Sequence, residues 1–412
     1  MSRPDGFRFE YDPGTLRFGS GSVGDLADEL DRRGLDRALV VCGSTVGTSP
    51  EVIGPVTEGL GDRLAGVFAE TTPAKRLATA FDGLAAMEDR GADVLVALGG
   101  GSSLDVAKVV SALAADDRDP DAVGREFQDR GTISIPDGEL PPIVAIPTTL
   151  AGADLSTGAG VTASPDSGLV DEPAGGGVGD PRLMPSAIVY DPALVATTPK
   201  RILAASAMNG FDKGIETLYA ANATPVTDAT AVRGLGLLRN GLRRLGEEDP
   251  AEDVLEPVLE GTMLVQYGIA RPGETTLSII HAFGHGLTRS YDVQQGAAHG
   301  VVAPHVLRYL FDQVDGRRDL LADALGVDGE TDRDGAADRE ALDDRAEAIV
   351  EAVADVRDAL DLPARLRDVD GSEPDEFPAV ADAILADSFM ANAPSGLEPT
   401  RAEIETVLEA AY

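Results

Sequence analysis

Apolar residues follow two patterns along this chain, and one gives way to the other near residue 195. Before that point, short and almost wholly apolar runs recur: RALVV at 37–41, VLVAL at 94–98, PIVAI at 142–146 and the stretch 187–190. Such runs predict strands buried on both faces. A further short strand is expected around 65–69. Between the runs, apolar positions return at helical spacing over 22–33, 52–60 and 73–90. In the last of these Leu77, Phe81, Leu84 and Met87 form one stripe. Strands alternating with helices imply a parallel sheet covered on both faces. Residues 7–11 and 16–18 alternate around Asp12-Pro13-Gly14 and predict a small hairpin. The segment 116–130 reads as polar, and the Gly- and Ser-rich 157–179 as a loop or short hairpin. From about Thr198 helical spacing dominates to the end, with a charged amphipathic helix of irregular start over 332–361. Thr400 and Glu403 have the spacing of a capping box at the last helix. The expectation is an α/β domain over 1–195 and an all-α domain over 196–412.

The stretch 93–113, DVLVALGGGSSLDVAKVVSAL, joins a strand to a helix through Gly99, Gly100 and Gly101. Glycines let a backbone approach an anion, and free N–H groups at a helix start point toward it. Ser102 and Ser103 are placed to cap that helix. The motif is not G-x-G-x-x-G, because Leu104 stands where the third glycine would be. It reads as a phosphate cradle, or else as a tight turn without a ligand.

Composition narrows the choices. Apolar residues make up 43% of the chain but aromatics only 4%, so the core is built of Ala, Val, Leu and Ile. No apolar run approaches the ~18 residues of a membrane span. The first residues lack the apolar core of a signal peptide. A single cysteine, Cys42, excludes an internal disulfide framework and fits a reducing cytoplasm. The net charge of −37 argues against nucleic acid and anionic membranes as partners. The acids are spread along the whole chain. This predicts a surface adapted to high salt, where screening relieves self-repulsion.

All four histidines lie close together: His281, His285, His299 and His305. His281 and His285 share a helix face, and His-x-x-x-His is a metal-ligand spacing to which His299 can add. A catalytic or structural role without metal is the other reading. His305 reads as an ordinary packed or surface residue.

Taken together, GGGSSLDVAK (99–108), PTTLAGADLS (147–156), DPRLMPSAIVYDPAL (180–194), MNGFDKGIETLYA (208–220), HAFGHGL (281–287) and HGVVAPHV (299–306) resemble the iron-containing, or group III, alcohol dehydrogenase family. FGSGSV (18–23) and DSFMANAP (387–394) fit as well. The look is closest to the maleylacetate-reductase branch. The resemblance implies a Rossmann-like dinucleotide-binding α/β domain followed by a helical catalytic domain. It also implies NAD- or NADP-dependent interconversion of a small alcohol with its aldehyde, ketone or oxoacid, often in a homo-oligomer. Gly99, Gly100, Gly101 and Ser102 would cradle the pyrophosphate, Asp105 would lie near the nicotinamide, and Thr148 and Thr149 would line the dinucleotide cleft. Many NAD-preferring members carry an Asp at the end of the second strand, where this chain has Gly43. Without that carboxylate a 2′-phosphate is not repelled, so NADP or dual use is expected.

Metal-dependent members hold a divalent ion, Fe or Zn, with an Asp, a His four residues later and two further His. His281 and His299 match the last two. Asn209 falls at the Asp position and Lys213 at the first His position; a second frame instead offers Asp212 with Glu216. A protonated Lys has no lone pair to give, and an amide is a weaker ligand than a carboxylate. The alternatives are a marginal ion on His281, His299 and Asn209, or no ion, with Lys213 and one of His281, His285 or His299 polarising the carbonyl and supplying the proton. Lys213 as a salt-bridged structural residue is a third. A dehydroquinate-synthase-like or glycerol-1-phosphate-dehydrogenase-like enzyme, or a silent nucleotide-binding homologue, are the competing functions.

Overall fold

The computed structural model describes residues 7–11, 13–271, 273–289, 291, 293–327, 339–369 and 373–412. The chain forms two compact units. One holds Arg8–Thr198 with Ala270–Gly273, the other Pro199–Ile269 and Glu274–Tyr412.

In the first unit, β1 (Thr15–Phe18), β2 (Ala38–Gly43), β3 (Leu64–Thr71), β4 (Val94–Gly99), β5 (Ile143–Pro147) and β8 (Ala187–Tyr190) make one sheet in the order β1-β8-β5-β4-β2-β3. Every pairing in it is parallel. The residues of β4, β5 and β8 are all buried, which is why their sequences are continuous apolar runs rather than alternating ones. One face packs Val40, Val96, Leu98, Val144 and Ile146 against Leu26, Leu30 and Val56. A separate antiparallel hairpin, β6 (Gly158–Ala163) and β7 (Ala174–Gly179), fills the Gly-rich segment as expected. The strand after β2 lies on one side of it, and the strand after β4 lies on the other. The carboxyl ends of β2 and β4 therefore flank a topological switch point, the place where open α/β sheets bind ligands.

Several expectations change. Residues 7–11 form no strand, and β1 pairs not with them but in parallel with β8, Thr15 opposite Ala187. The Thr15 N–H donates to the Ser186 carbonyl, so the chain enters the sheet here instead of reversing. Alternation marks a strand; it does not name its partner. The helix expected from 73 starts at Leu77, because Lys75 is in the left-handed region at φ 51° and Arg76 is extended. The segment 22–33 opens as a 3-10 turn, Ser22–Asp25, before the helix Leu26–Asp31. The polar 116–130 contains the helix Pro120–Arg130, capped by Asp119.

The second unit carries helices and, among the described residues, no strand. The three that matter for chemistry are Lys200–Tyr219, Ile279–Thr288 and Gln295–Gln313, referred to below as the lysine helix, the two-histidine helix and the His299 helix. Of the segment 332–361, residues 332–338 lie outside the described residues, and the helix Arg339–Ala359 is followed by a turn at Leu360 and Asp361. The last helix, Arg401–Ala411, begins with the expected capping box of Thr400 and Glu403.

Candidate active site

In the first unit, the end of β4 turns into the helix Gly101–Leu113 through Gly99, whose φ of +132° is open to glycine and rarely to other residues. Gly100, not Ser102 or Ser103, is the N-cap, and no side chain caps the helix. The two serines lie in its first turn. Ser103 Oγ is spent on Thr71 Oγ1, 2.9 Å away on β3. The Ser103 N–H donates to the Gly100 carbonyl at 3.1 Å, so the N–H groups of Gly101 and Ser102 are the ones placed for a ligand. A Cβ on Gly100 would stand 3.0 Å from Thr149 Cγ2, and the Thr148 N–H donates to the Gly99 carbonyl. The residues present fit a dinucleotide pyrophosphate: an uncapped helix start, a glycine cradle and a neighbouring Thr-Thr pair at a switch point. Gly99, Gly100, Gly101, Ser102, Thr148 and Thr149 all gather there.

Asp105 is committed within this unit. Its carboxylate lies 2.5 Å from Lys75 Nζ and accepts from the Gly160 N–H at 3.2 Å. It ties the helix to the hairpin and to the loop after β3. Lys108, unremarked in the sequence, is fully buried and donates to the carbonyls of Ala153 and Gly158. Burial lowers its pKa to about 8, against the pull of Asp105 and Asp154.

In the second unit, Asn209, Asp212, Lys213 and Glu216 sit at helical spacing on one face of the lysine helix, and the last three are buried. Glu216 reaches the start of the two-histidine helix. It accepts from the His281 N–H at 3.0 Å, and its other oxygen is 2.5 Å from His281 Nδ1. A carboxyl group at a helix N-terminus is favoured by the free N–H groups there. The far nitrogen, His281 Nε2, is 2.9 Å from Asn209 Oδ1. His299 packs edge-on against His281 with ring centroids 4.4 Å apart, and its Nδ1 is 3.4 Å from Asp212.

Burial decides the charges. It holds His281 well below its ordinary value, with His299 and Lys213 adding to the effect. His299 is pushed down to about 3, again by burial first. Both imidazoles are neutral at pH 7. Burial raises Glu216 to about 7 and Asp212 well above the carboxylate range. Glu216 at Nδ1 and the Asn209 amide at Nε2 thus hold the His281 ring from both nitrogens.

These residues do not fit a divalent ion. Of the four positions that would hold it, Lys213 is an amine that ligates only after losing its proton, Asn209 is an amide, and the His281 nitrogens already face Glu216 and Asn209. Among the described residues, no group of three or more His, Cys, Asp or Glu is arranged to hold a metal. An ion on His281, His299 and Asn209, or none with Lys213 in its place, are the two alternatives that the proposal below takes up. In the frame with Asp212 and Glu216, Glu216 is taken up by His281, whereas Asp212 lies 3.4 Å from His299 without a hydrogen bond.

His285, one turn beyond His281, is turned elsewhere. Its Nδ1 is 2.9 Å from Asp387, which the sequence reading quoted in a motif without giving it a role. His305 is a half-buried residue of the His299 helix.

The sequence matches the family model of the iron-containing alcohol dehydrogenases over residues 13–192 and that of the C-terminal part of the Fe-containing alcohol dehydrogenase family over 203–412. It is similar to lactaldehyde reductase of Escherichia coli (strain K12), 28% identical over 399 residues that cover 96% of both chains. It is also similar to maleylacetate reductase of Pseudomonas aeruginosa, 27% identical over 409 residues, 98% of this chain and 97% of that one. Sulfoacetaldehyde reductase from Bifidobacterium kashiwanohense, solved with NAD+, shares the fold at a TM-score of 0.81 and 20% identity, with 98% and 99% of the two chains covered. The two family models, which together span most of the chain, and the full-length reductase relatives define an oxidoreductase. The chain belongs to the iron-containing alcohol dehydrogenase family. Among the described residues, no helix is long and apolar enough to cross a membrane.

Proposed function

We propose that the chain is an NAD(P)-dependent oxidoreductase that interconverts a small alcohol and its aldehyde, ketone or oxoacid, with the Lys213 ammonium standing where its relatives hold a metal. The observation that carries this reading is a buried lysine beside two neutral imidazoles, in a donor set unfit for a divalent ion. Gly99, Gly100, Gly101 and Ser102 would hold the pyrophosphate, with Thr148 and Thr149 beside it. A nicotinamide dinucleotide bound there supplies or accepts the hydride. Lys213 stabilises the negative charge that develops on the substrate oxygen, and desolvation makes one fixed charge worth more than it would be in water. His281 holds its place through Glu216 and Asn209, and His285 exchanges the proton. The missing carboxylate at Gly43, where β2 runs directly into the short helix Ser44–Thr48, supports use of NADP or of both dinucleotides.

The test combines metal analysis of the active protein with absorbance at 340 nm over a panel of aldehydes, ketones and oxoacids, using NADH and NADPH. Turnover should survive exhaustive chelation. Lys213→Ala should lower kcat by about 10²–10³, the usual cost of removing one oxyanion-stabilising group. Stoichiometric Fe or Zn whose removal abolishes turnover would defeat the lysine assignment. Dinucleotide binding without turnover on any panel member would favour a silent homologue.

A further inference from the structure

Apart from the buried cluster, a second set of charged groups in the helical unit converges on His285. Asp387 is a carboxylate with 1% of its side chain exposed, and each of its oxygens is used. Oδ2 lies 2.9 Å from His285 Nδ1 and accepts from the Arg289 guanidinium at 2.8 Å. Oδ1 accepts from the Phe389 N–H at 3.0 Å and so caps the short turn Ser388–Asn392. The Phe389 ring lies against the face of the His285 imidazole, with centroids 5.0 Å apart. One carboxylate thus governs the imidazole twice: directly in the ring plane, and through the turn that places Phe389 on its face. The histidine itself is partly exposed, unlike His281 and His299.

We propose that Asp387 is a positioning residue that holds His285 in the Nδ1–H tautomer, leaving Nε2 as the nitrogen that exchanges the reaction's proton. This rests on the oxidoreductase reading above. The tautomer of a histidine is set by the partner of its other nitrogen, and a carboxylate can only accept. Nδ1–H therefore donates to Asp387, and the Nε2 lone pair is free. In alcohol oxidation, Nε2 takes the hydroxyl proton as the hydride leaves the carbinol carbon for the nicotinamide, and the resulting imidazolium rests against the Asp387 charge. In reduction, the imidazolium returns that proton from Nε2 to the alkoxide that hydride addition forms. Asp387 stays ionised throughout. Burial alone would raise its pKa, but the bonds from His285 and the Phe389 N–H, with the Arg289 charge, hold it below the usual carboxylate range.

Two measurements on the whole chain test this. The first needs neither substrate nor dinucleotide: histidine side-chain 1H–15N NMR of the wild type and of Asp387→Asn. His285 is assigned from His285→Gln. In the wild type the neutral imidazole should carry its proton on Nδ1, and in Asp387→Asn the Nε2–H form should rise, since an amide can also donate. Identical tautomer signals in the two proteins would overturn the proposal. The second is steady-state kinetics. Asp387→Asn should lower kcat by about 10²-fold, within the range that general acid–base catalysis supplies, while KM changes less than twofold. Asp387→Glu, which keeps the acceptor, should recover part of the loss. Equal kcat in Asp387→Asn and wild type, or no recovery in Asp387→Glu, would count against it. If the wild type reduces no carbonyl on the panel, the oxidoreductase reading falls. The NMR result still decides whether Asp387 sets the tautomer.

Discussion

At Gly284 a single absent methyl decides how two helices meet. A Cβ there would stand 2.2 Å from His299 Nε2, so the two-histidine helix admits the imidazole only because this residue has no side chain. Gly284→Ala should be destabilising by about 1–3 kcal/mol, the usual cost of overpacking. This outweighs the roughly 0.5–1 kcal/mol by which Ala is favoured in a helix interior. Denaturant unfolding checks the sign, and equal or greater stability of the variant would refute the contact. Asn209 and Lys213 mark the same scale from the other side. Their identities were legible as departures from a ligand pattern. That Asn209 engages His281 Nε2, and that Glu216 is the partner on Nδ1, was not legible, because the lysine helix and the two-histidine helix are 65 residues apart at that contact.

At the scale of elements, the unit of β4, its glycine turn and the following helix is held to its neighbours by Lys108. Its two bonds go to carbonyls of the loop and hairpin that follow β5. Its depressed pKa makes a signed prediction. The value falls from 10.5 to about 8 on burial, so below pH 8 the folded protein carries a charge in an unfavourable place. As pH rises from about 8 toward 10.5 the unfolded chain binds more protons than the folded one, and stability from this group increases. The unfolding free energy of the wild type minus that of Lys108→Met should therefore rise between pH 8 and pH 10. A flat or falling difference would show that Lys108 is not the titrating group. Elements with strong local signals were readable: buried runs became strands, and Thr400 with Glu403 became a capping box. The helix Pro120–Arg130 also carried its signals, Asp119 as cap and Pro120 at the first position, beneath a polar composition that hid them.

For the whole molecule the dominant quantity is a net charge of −37. Acids outnumber bases so far that carboxylates share the available arginines, as Asp116 and Glu126 share Arg118. Self-repulsion of this size opposes compaction at low ionic strength and fades as the Debye length shortens from about 10 Å at 0.1 M to about 3 Å at 1 M. The melting temperature and the free energy of unfolding should accordingly rise between dilute buffer and molar KCl. Equal stability in the two would show that the surface charge is not a salt adaptation.

Hydrophobic period and turn chemistry are local properties, and what depends on them was determined by the sequence alone: parallel strands buried on both faces, a glycine turn opening a helix, and a helical second half. Contacts between distant segments were decided only by the tertiary structure. β1 pairs with β8 rather than folding back, because an alternating strand carries no label for its partner. Asp387 meets His285 across 102 residues, where no spacing rule operates. The charge of each buried imidazole and carboxyl belongs to this second group, since it follows from desolvation, and the fold sets how far each group is withdrawn from water.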